Sequence, residues 1–343
     1  MKQLKIIVAF VAGLFAFTSV QAGEMTVTGS MHATYQSEQD DVTGNPLGMN
    51  TDLTFTGVTD TDFGEAKWTM GTDGTFVGDS GADHKLTLAT SVGTFKIGNS
   101  GDSANAVDDI TPTAFEEANG AGSGTYAADF GSGMEGSMSV GYNLGDIAGT
   151  GISVDYTYYP KLDGKTNNEK GASTDQVKAT KSAQSINIGI PFAGIPGVGD
   201  TAIGGTKLTI GYEEGDSTVS GAQSKRGATA ALVVPVGPLK VGYQQKAYQE
   251  AGTSLVLQDF FKDEILGVAY AINDDMAVSY NLIQSERHND KVLGEVEQET
   301  KAINFAYTVG GLTLALQDAK TSNNGYVAAA DDDTRTFSIK TAF

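Results

Sequence analysis

From Thr26 onward the chain alternates apolar and polar residues one by one, in short segments. Thr26 to Gln36 reads TVTGSMHATYQ, with Val27, Met31, Ala33 and Tyr35 on one face and Thr26, Thr28, Ser30, His32 and Thr34 on the other. A period of two is the mark of a strand with two unlike faces. The pattern recurs. Leu53 and Phe55 oppose Asp52, Thr54 and Thr56; Ala66, Trp68 and Met70 oppose Glu65, Lys67 and Thr69; Leu86 and Leu88 oppose Lys85 and Thr87; Phe95 and Ile97 oppose Thr94 and Lys96. Segments at 125–130, 136–144 and 151–159 follow, and from Ser185 to Phe343 the alternation is very regular. The chain reads as all-β.

The links separate two all-β architectures. Val236-Gly237-Pro238, Asn273-Asp274-Asp275 and Gly310-Gly311 are tight, whereas 215–226, 249–262, 287–296 and 321–333 are longer and polar. Short turns alternating with long loops suit an up-and-down membrane barrel, while a soluble sandwich would show Greek-key connections. Counting segments gives 17, but a barrel with both termini at one rim needs an even number. The phase of short and long links slips between Gly124 and Lys181, so the expectation is a transmembrane antiparallel β-barrel of 16 strands, with 18 as the alternative. About 20 residues per strand and link suits strands of ~10 residues.

Composition fits that reading. Lys2 and Lys5 precede an apolar run, Ile6 to Phe17, and a small-residue site, Val20-Gln21-Ala22. This is the layout of a secretory signal peptide over residues 1–22, leaving one barrel domain over 23–343. The formal charge of −20 becomes about −22 without the two lysines. So acidic a body disfavours nucleic acid as a partner. There is no cysteine, so no disulfide staples the fold. No later apolar run nears the ~18 residues of a membrane helix, yet strands of ~9–11 residues can span. The mean hydropathy of −0.17 suits strands that meet lipid on one side and water on the other.

One link stands apart. Asn99 to Gly124, NSGDSANAVDDITPTAFEEANGAGSG, carries Asp102, Asp108, Asp109, Glu116 and Glu117 and has no Lys or Arg. Long structureless loops in compact folds tend to be functional or disordered. Gly101, Gly120, Gly122 and Gly124 supply bends, and Thr111-Pro112 fixes a turn between the acid clusters. The loop is expected to narrow a lumen, against the plainer reading of a solvated surface loop.

The last segment, TRTFSIKTAF, sets Phe337, Ile339, Thr341 and Phe343 against Ser338 and Lys340 and stops on an aromatic residue. That ending looks like the signal outer-membrane proteins present to their assembly machinery, carried by Phe337, Ile339 and Phe343. With GEMTVTGSMHATYQ, LGMNTDLTFTG, the long fifth-to-sixth link and GTYAADFGSGMEGSMSVGY, the chain resembles the Gram-negative general porins. The resemblance implies an outer-membrane homotrimer of 16-stranded barrels among lipid and lipopolysaccharide. Its third extracellular loop folds inward, and loop carboxylates face basic side chains across the lumen. The basic wall departs from the family pattern: the early strands offer Lys67, Lys85 and Lys96, with His32 nearby, in place of an arginine cluster. Lipid-side charge would cost roughly 2–4 kcal/mol each at the bilayer midplane, which favours inward-facing lysines.

The expected function is passive diffusion of ions and small hydrophilic solutes, mildly cation-selective because acids predominate. No cofactor is called for. Asp331-Asp332-Asp333 and Asp40-Asp41 could hold calcium through clustered oxygens, but such runs are more often solvated loop tips. A barrel enzyme would need a His with a Ser or an acid beside it; His32 lies mid-strand facing inward without a neighbouring acid in sequence, and His84 and His288 sit near loops. A structural or adhesive barrel without an open pore is the remaining alternative. Tyr35, Tyr142, Tyr156, Tyr158, Tyr212, Tyr243, Tyr270, Tyr280 and Tyr307 sit on apolar faces, as in interfacial girdles.

Overall fold

A computed structural model describes residues 23–38, 45–73, 83–99, 103–116, 118, 137–160, 182–216, 224–249, 260–288 and 296–343. The signal segment, Asp40-Asp41, Asp102, Glu117, Gly101, Gly120, Gly122, Gly124 and the segment 125–130 lie outside the described residues.

The strands are β1 (Glu24–Glu38), β2 (Leu47–Thr61), β3 (Gly64–Asp73), β4 (Asp83–Thr90), β5 (Gly93–Gly98) and β6 (Ser139–Leu144). Then come β7 (Ser153–Tyr159), β8 (Ala183–Pro191), β9 (Lys207–Gly215), β10 (Lys225–Val236) and β11 (Leu239–Gln249). The ring is completed by β12 (Phe260–Ala271), β13 (Met276–His288), β14 (Gln298–Val309), β15 (Leu312–Ser322) and β16 (Asp332–Ala342). All 16 pair with their sequence neighbours in one closed antiparallel barrel. The seam is the β1–β16 ladder from Ser30↔Ala342 to Glu38↔Thr334, with Gly29 N donating to the Phe343 carbonyl at 2.8 Å and Phe343 N returning the bond at 2.9 Å. Closure leaves no open sheet edge, the condition for a spanning sheet.

The slip in the link phase has a physical cause. β5 pairs directly with β6 through Phe95↔Tyr142 and Ile97↔Val140, so the two are neighbours in the ring of described strands. The connection between the two runs over 99–138, beyond the expected boundary at Gly124. The sequence at 125–130, TYAADF, has strand-like composition, and composition is a weak guide to pairing.

Burial is the inverse of a water-soluble protein. Gln244, Asn281, Asn304 and Gln317 are fully covered, while Ile303 is 62% exposed and Phe337 43%. A closed barrel has only two faces, so the apolar set points out to lipid and the polar set into the lumen. One rim carries the tight links 62–63, 91–92, 237–238 and 310–311 together with both termini, which makes it the periplasmic rim. The longer links there are 145–152 and 192–206, the latter a series of hydrogen-bonded turns opening with a 3-10 turn at Phe192–Gly194.

Candidate functional site: a loop docked on the inner wall

The connection after β5 enters the barrel and follows the wall from β7 round to β1. Ser103 Oγ lies within 3.1 Å of Thr157 Oγ1 on β7 and of the Ser185 carbonyl on β8. On β11, Gln244 Nε2 donates to the carbonyls of Val107 at 3.0 Å and Asp108 at 2.6 Å, and its Oε1 accepts from Ile110 N. Asn281 Nδ2 on β13 donates to the Pro112 carbonyl at 3.1 Å, and Ser279 Oγ accepts from Ala114 N at 2.9 Å. Asn304 Nδ2 on β14 reaches Thr113 Oγ1, and Gln317 Nε2 on β15 donates to the Glu116 carbonyl at 3.1 Å. Phe115 meets the His32 ring edge-on at 6.2 Å, on β1. Side-chain amides recur because a loop lying on a wall offers unsatisfied backbone donors and acceptors, and an amide can serve both.

Two glycines make the seat. A Cβ on Gly267 would lie 2.7 Å from the Pro112 carbonyl and 2.9 Å from Thr111 Cβ. A Cβ on Gly242 would collide with the Pro112 ring. The turn at Thr111-Pro112 therefore rests on bare backbone of β11 and β12. Beyond it, Ala118 packs with Ile265, Ile283, Ala302 and Ala319, a small apolar pad inside the barrel.

The electrostatics differ from the expected arrangement. Asp108 and Asp109 bind Lys246, whose Nζ lies 2.7 Å and 2.9 Å from their Oδ1 atoms. The Lys246 side chain is only 2% exposed, whereas Asp108 and Asp109 keep 17% and 29%, so the lysine lies under the loop and the cluster carries a formal charge of −1. Sequence reasoning missed Lys246 and placed the basic partners on Lys67, Lys85 and Lys96. The register sets those three on the same inner face, with Lys67↔Thr87 and Thr87↔Lys96 as cross-strand pairs. They occupy the opposite arc: β3 and β11 stand half a ring apart. Lys96 itself pairs with Asp155 on β7. Glu116 lies farther along the loop, where burial pushes its carboxyl up against the opposing pull of His32 and Lys340.

His32 Nε2 is 2.6 Å from Ser338 Oγ, an inward pair across the seam. His84 lies on β4, and His288 ends β13 beside Glu286 at 3.4 Å. Asp331 accepts from Asn323 N at 3.2 Å and Asp333 pairs with Lys320 at 3.3 Å. At the C-terminus Phe337, Ile339 and Phe343 are exposed on the outer face.

No family model matches the sequence, and no curated protein does. The fold has solved counterparts. OmpT of Vibrio cholerae in its trimer form superposes with a TM-score of 0.67 at 11% identity, over 94% of this chain and 100% of that one. The anion-selective porin of Comamonas acidovorans gives 0.67 at 12% identity over 94% and 100%. OmpF of Salmonella typhi gives 0.63 at 12% identity over 94% and 98%. The chain has the 16-stranded fold of the general porins. Its outer surface is apolar, as a barrel whose strands meet lipid requires.

Proposed function

We propose that the protein is a diffusion porin, a water-filled channel for ions and small hydrophilic solutes, narrowed by the loop that starts at Asn99. The observation that carries this reading is the docking of residues 103–116 on an arc of the inner wall from β7 to β1, leaving the arc of β2–β6 as the other side of the passage. A loop so held narrows the lumen from one side. Asp108, Asp109 and Glu116, together with Asp102 and Glu117 by sequence, supply acid on one side. Lys67, Lys85 and Lys96 supply base on the other. The excess of carboxylate favours cations.

The counterparts support a porin and leave selectivity open, because the same fold serves an anion-selective porin. Among the described residues, the Ser338–His32 pair does not suit catalysis: Ser338 is 1% exposed, and a nucleophile must reach its substrate. A homotrimer and contact with lipopolysaccharide belong to the same proposal, and chemical cross-linking in detergent tests the trimer. The channel is tested by liposome swelling. Neutral sugars of graded size should enter at rates that fall with size, and liposomes as tight as protein-free ones would overturn the reading in favour of a closed structural barrel.

A further inference from the structure

We propose that Tyr326 anchors a second restriction element: packed against the wall, it draws the loop between β15 and β16 inward, where that loop sets the size limit at the extracellular mouth. The proposal rests on the channel reading and adds to it a residue that neither acidity nor loop length picks out. The loop covers 323–331, and its sequence opens with Asn323-Asn324-Gly325, residues that tolerate the left-handed region. Asn323 at φ 56° and Gly325 at φ 67° use that tolerance. Tyr326 at φ 64° and Ala329 at φ 61° adopt the same region without it. A bulky residue persists there only where its surroundings hold it, and such strain gathers at functional positions.

The surroundings are explicit. Tyr326 is 2% exposed, its hydroxyl lies 2.7 Å from Ser285 Oγ on β13, and its ring is 5.9 Å from the Phe261 ring on β12. The Arg287 guanidinium sits 4.9 Å over the same ring. The backbone is tied as well: Gly325 N donates to Gln298 Oε1 at 2.7 Å, and Asn323 Nδ2 donates to the Glu297 carbonyl at 2.9 Å. From its root at β15 the loop thus reaches two strands across the wall to β13 and touches β12 beyond, ~15 Å at ~4.8 Å per strand. An ordinary surface loop would leave its aromatic residue at the tip.

The inner face of β13 shows what the reach accomplishes. Ser279 and Asn281 are covered by residues 112–114, Ile283 packs with Ala118, and Ser285 and Arg287 meet Tyr326. The two loops therefore cap one strand in succession, from the middle of the barrel to its mouth. Tyr326 is seated next along β13 beyond the docked loop, and the loop it anchors carries the narrow zone outward. The ring of strands is complete without it, since β15 and β16 pair from Leu312↔Thr341 to Thr321↔Asp332.

The test compares wild type, Y326A and Y326F, each as the full chain in planar bilayers and in liposome swelling with neutral sugars. Y326A should raise single-channel conductance and speed the larger sugars most, while Y326F, which keeps the ring and loses one hydrogen bond, stays near wild type. Should Y326A fail to insert, glycine and serine in place of 323–331 at equal length give the same readout. A conducting wild type with an open-loop variant of identical conductance and size limit overturns this inference alone. A wild type that passes neither ions nor sugars overturns the channel reading and this inference with it.

Discussion

Lys246 and Asp108 are separated by 138 positions and joined at 2.7 Å. A buried ion with two partners holds its site well, and removing the partners leaves a charge stranded out of water. Replacing Asp108 and Asp109 together by Asn should cost the docked loop about 3–5 kcal/mol. In single-channel records the expected result is larger or unsteady conductance and a weaker cation preference, because Lys246 then contributes net positive charge. Records identical to wild type would remove the cluster from the pore. Glu116 responds to pH. Its carboxyl is raised chiefly by burial, so it takes up a proton above the usual carboxylate range. The docked state binds that proton more tightly than a solvated loop does, so acidification through this window favours docking and removes one lumen charge. Cation preference should therefore begin to fall above the range in which exposed acids titrate, and E116Q should abolish that first step while leaving the rest of the titration.

At the scale of elements, the strand faces and alternating links were legible because a period of two and a turn rhythm are local properties. The sixth strand was harder to place, since 125–130 resembles a strand and only pairing shows that β5 adjoins β6. The loop's seat was less legible still. In sequence Gly242 and Gly267 are only glycines within regular strands, although a strand glycine is a sign of close backbone approach. The inward amides Gln244, Asn281, Asn304 and Gln317 have nothing in sequence to set them apart from other polar-face residues, because the pattern says which face a residue takes and not what meets it there. Filling the seat should lift the loop: Gly267→Val is expected to cost ~1–3 kcal/mol by overpacking. The measurement is conductance in a barrel that still migrates as folded in unheated gels; an unchanged value would mean that Thr111-Pro112 does not shape the passage. The seam offers a separate test. Phe343 exchanges two backbone hydrogen bonds with Gly29, so deleting it should lower the yield of heat-modifiable barrel, while equal yield would leave the terminal residue without a role in assembly.

The whole molecule is a lipid-facing cylinder with a polar interior, and almost every long-range feature follows from closing 16 strands in sequence order. That architecture was legible in the alternation, the charge and the link lengths. The passage inside was legible only as an acidic loop, since its partners lie on strands distant in sequence. The fold does not fix the sign of the selected ion, as the anion-selective counterpart illustrates. In the proposed channel, selectivity turns on loop carboxylates that outnumber Lys246, set against Lys67, Lys85 and Lys96 on the other arc. The most direct test is the zero-current potential of the wild-type protein in a planar bilayer across a potassium chloride gradient. Stepwise conductance with a potential showing modest cation preference is the predicted result; anion preference, or a membrane that never steps, would contradict it.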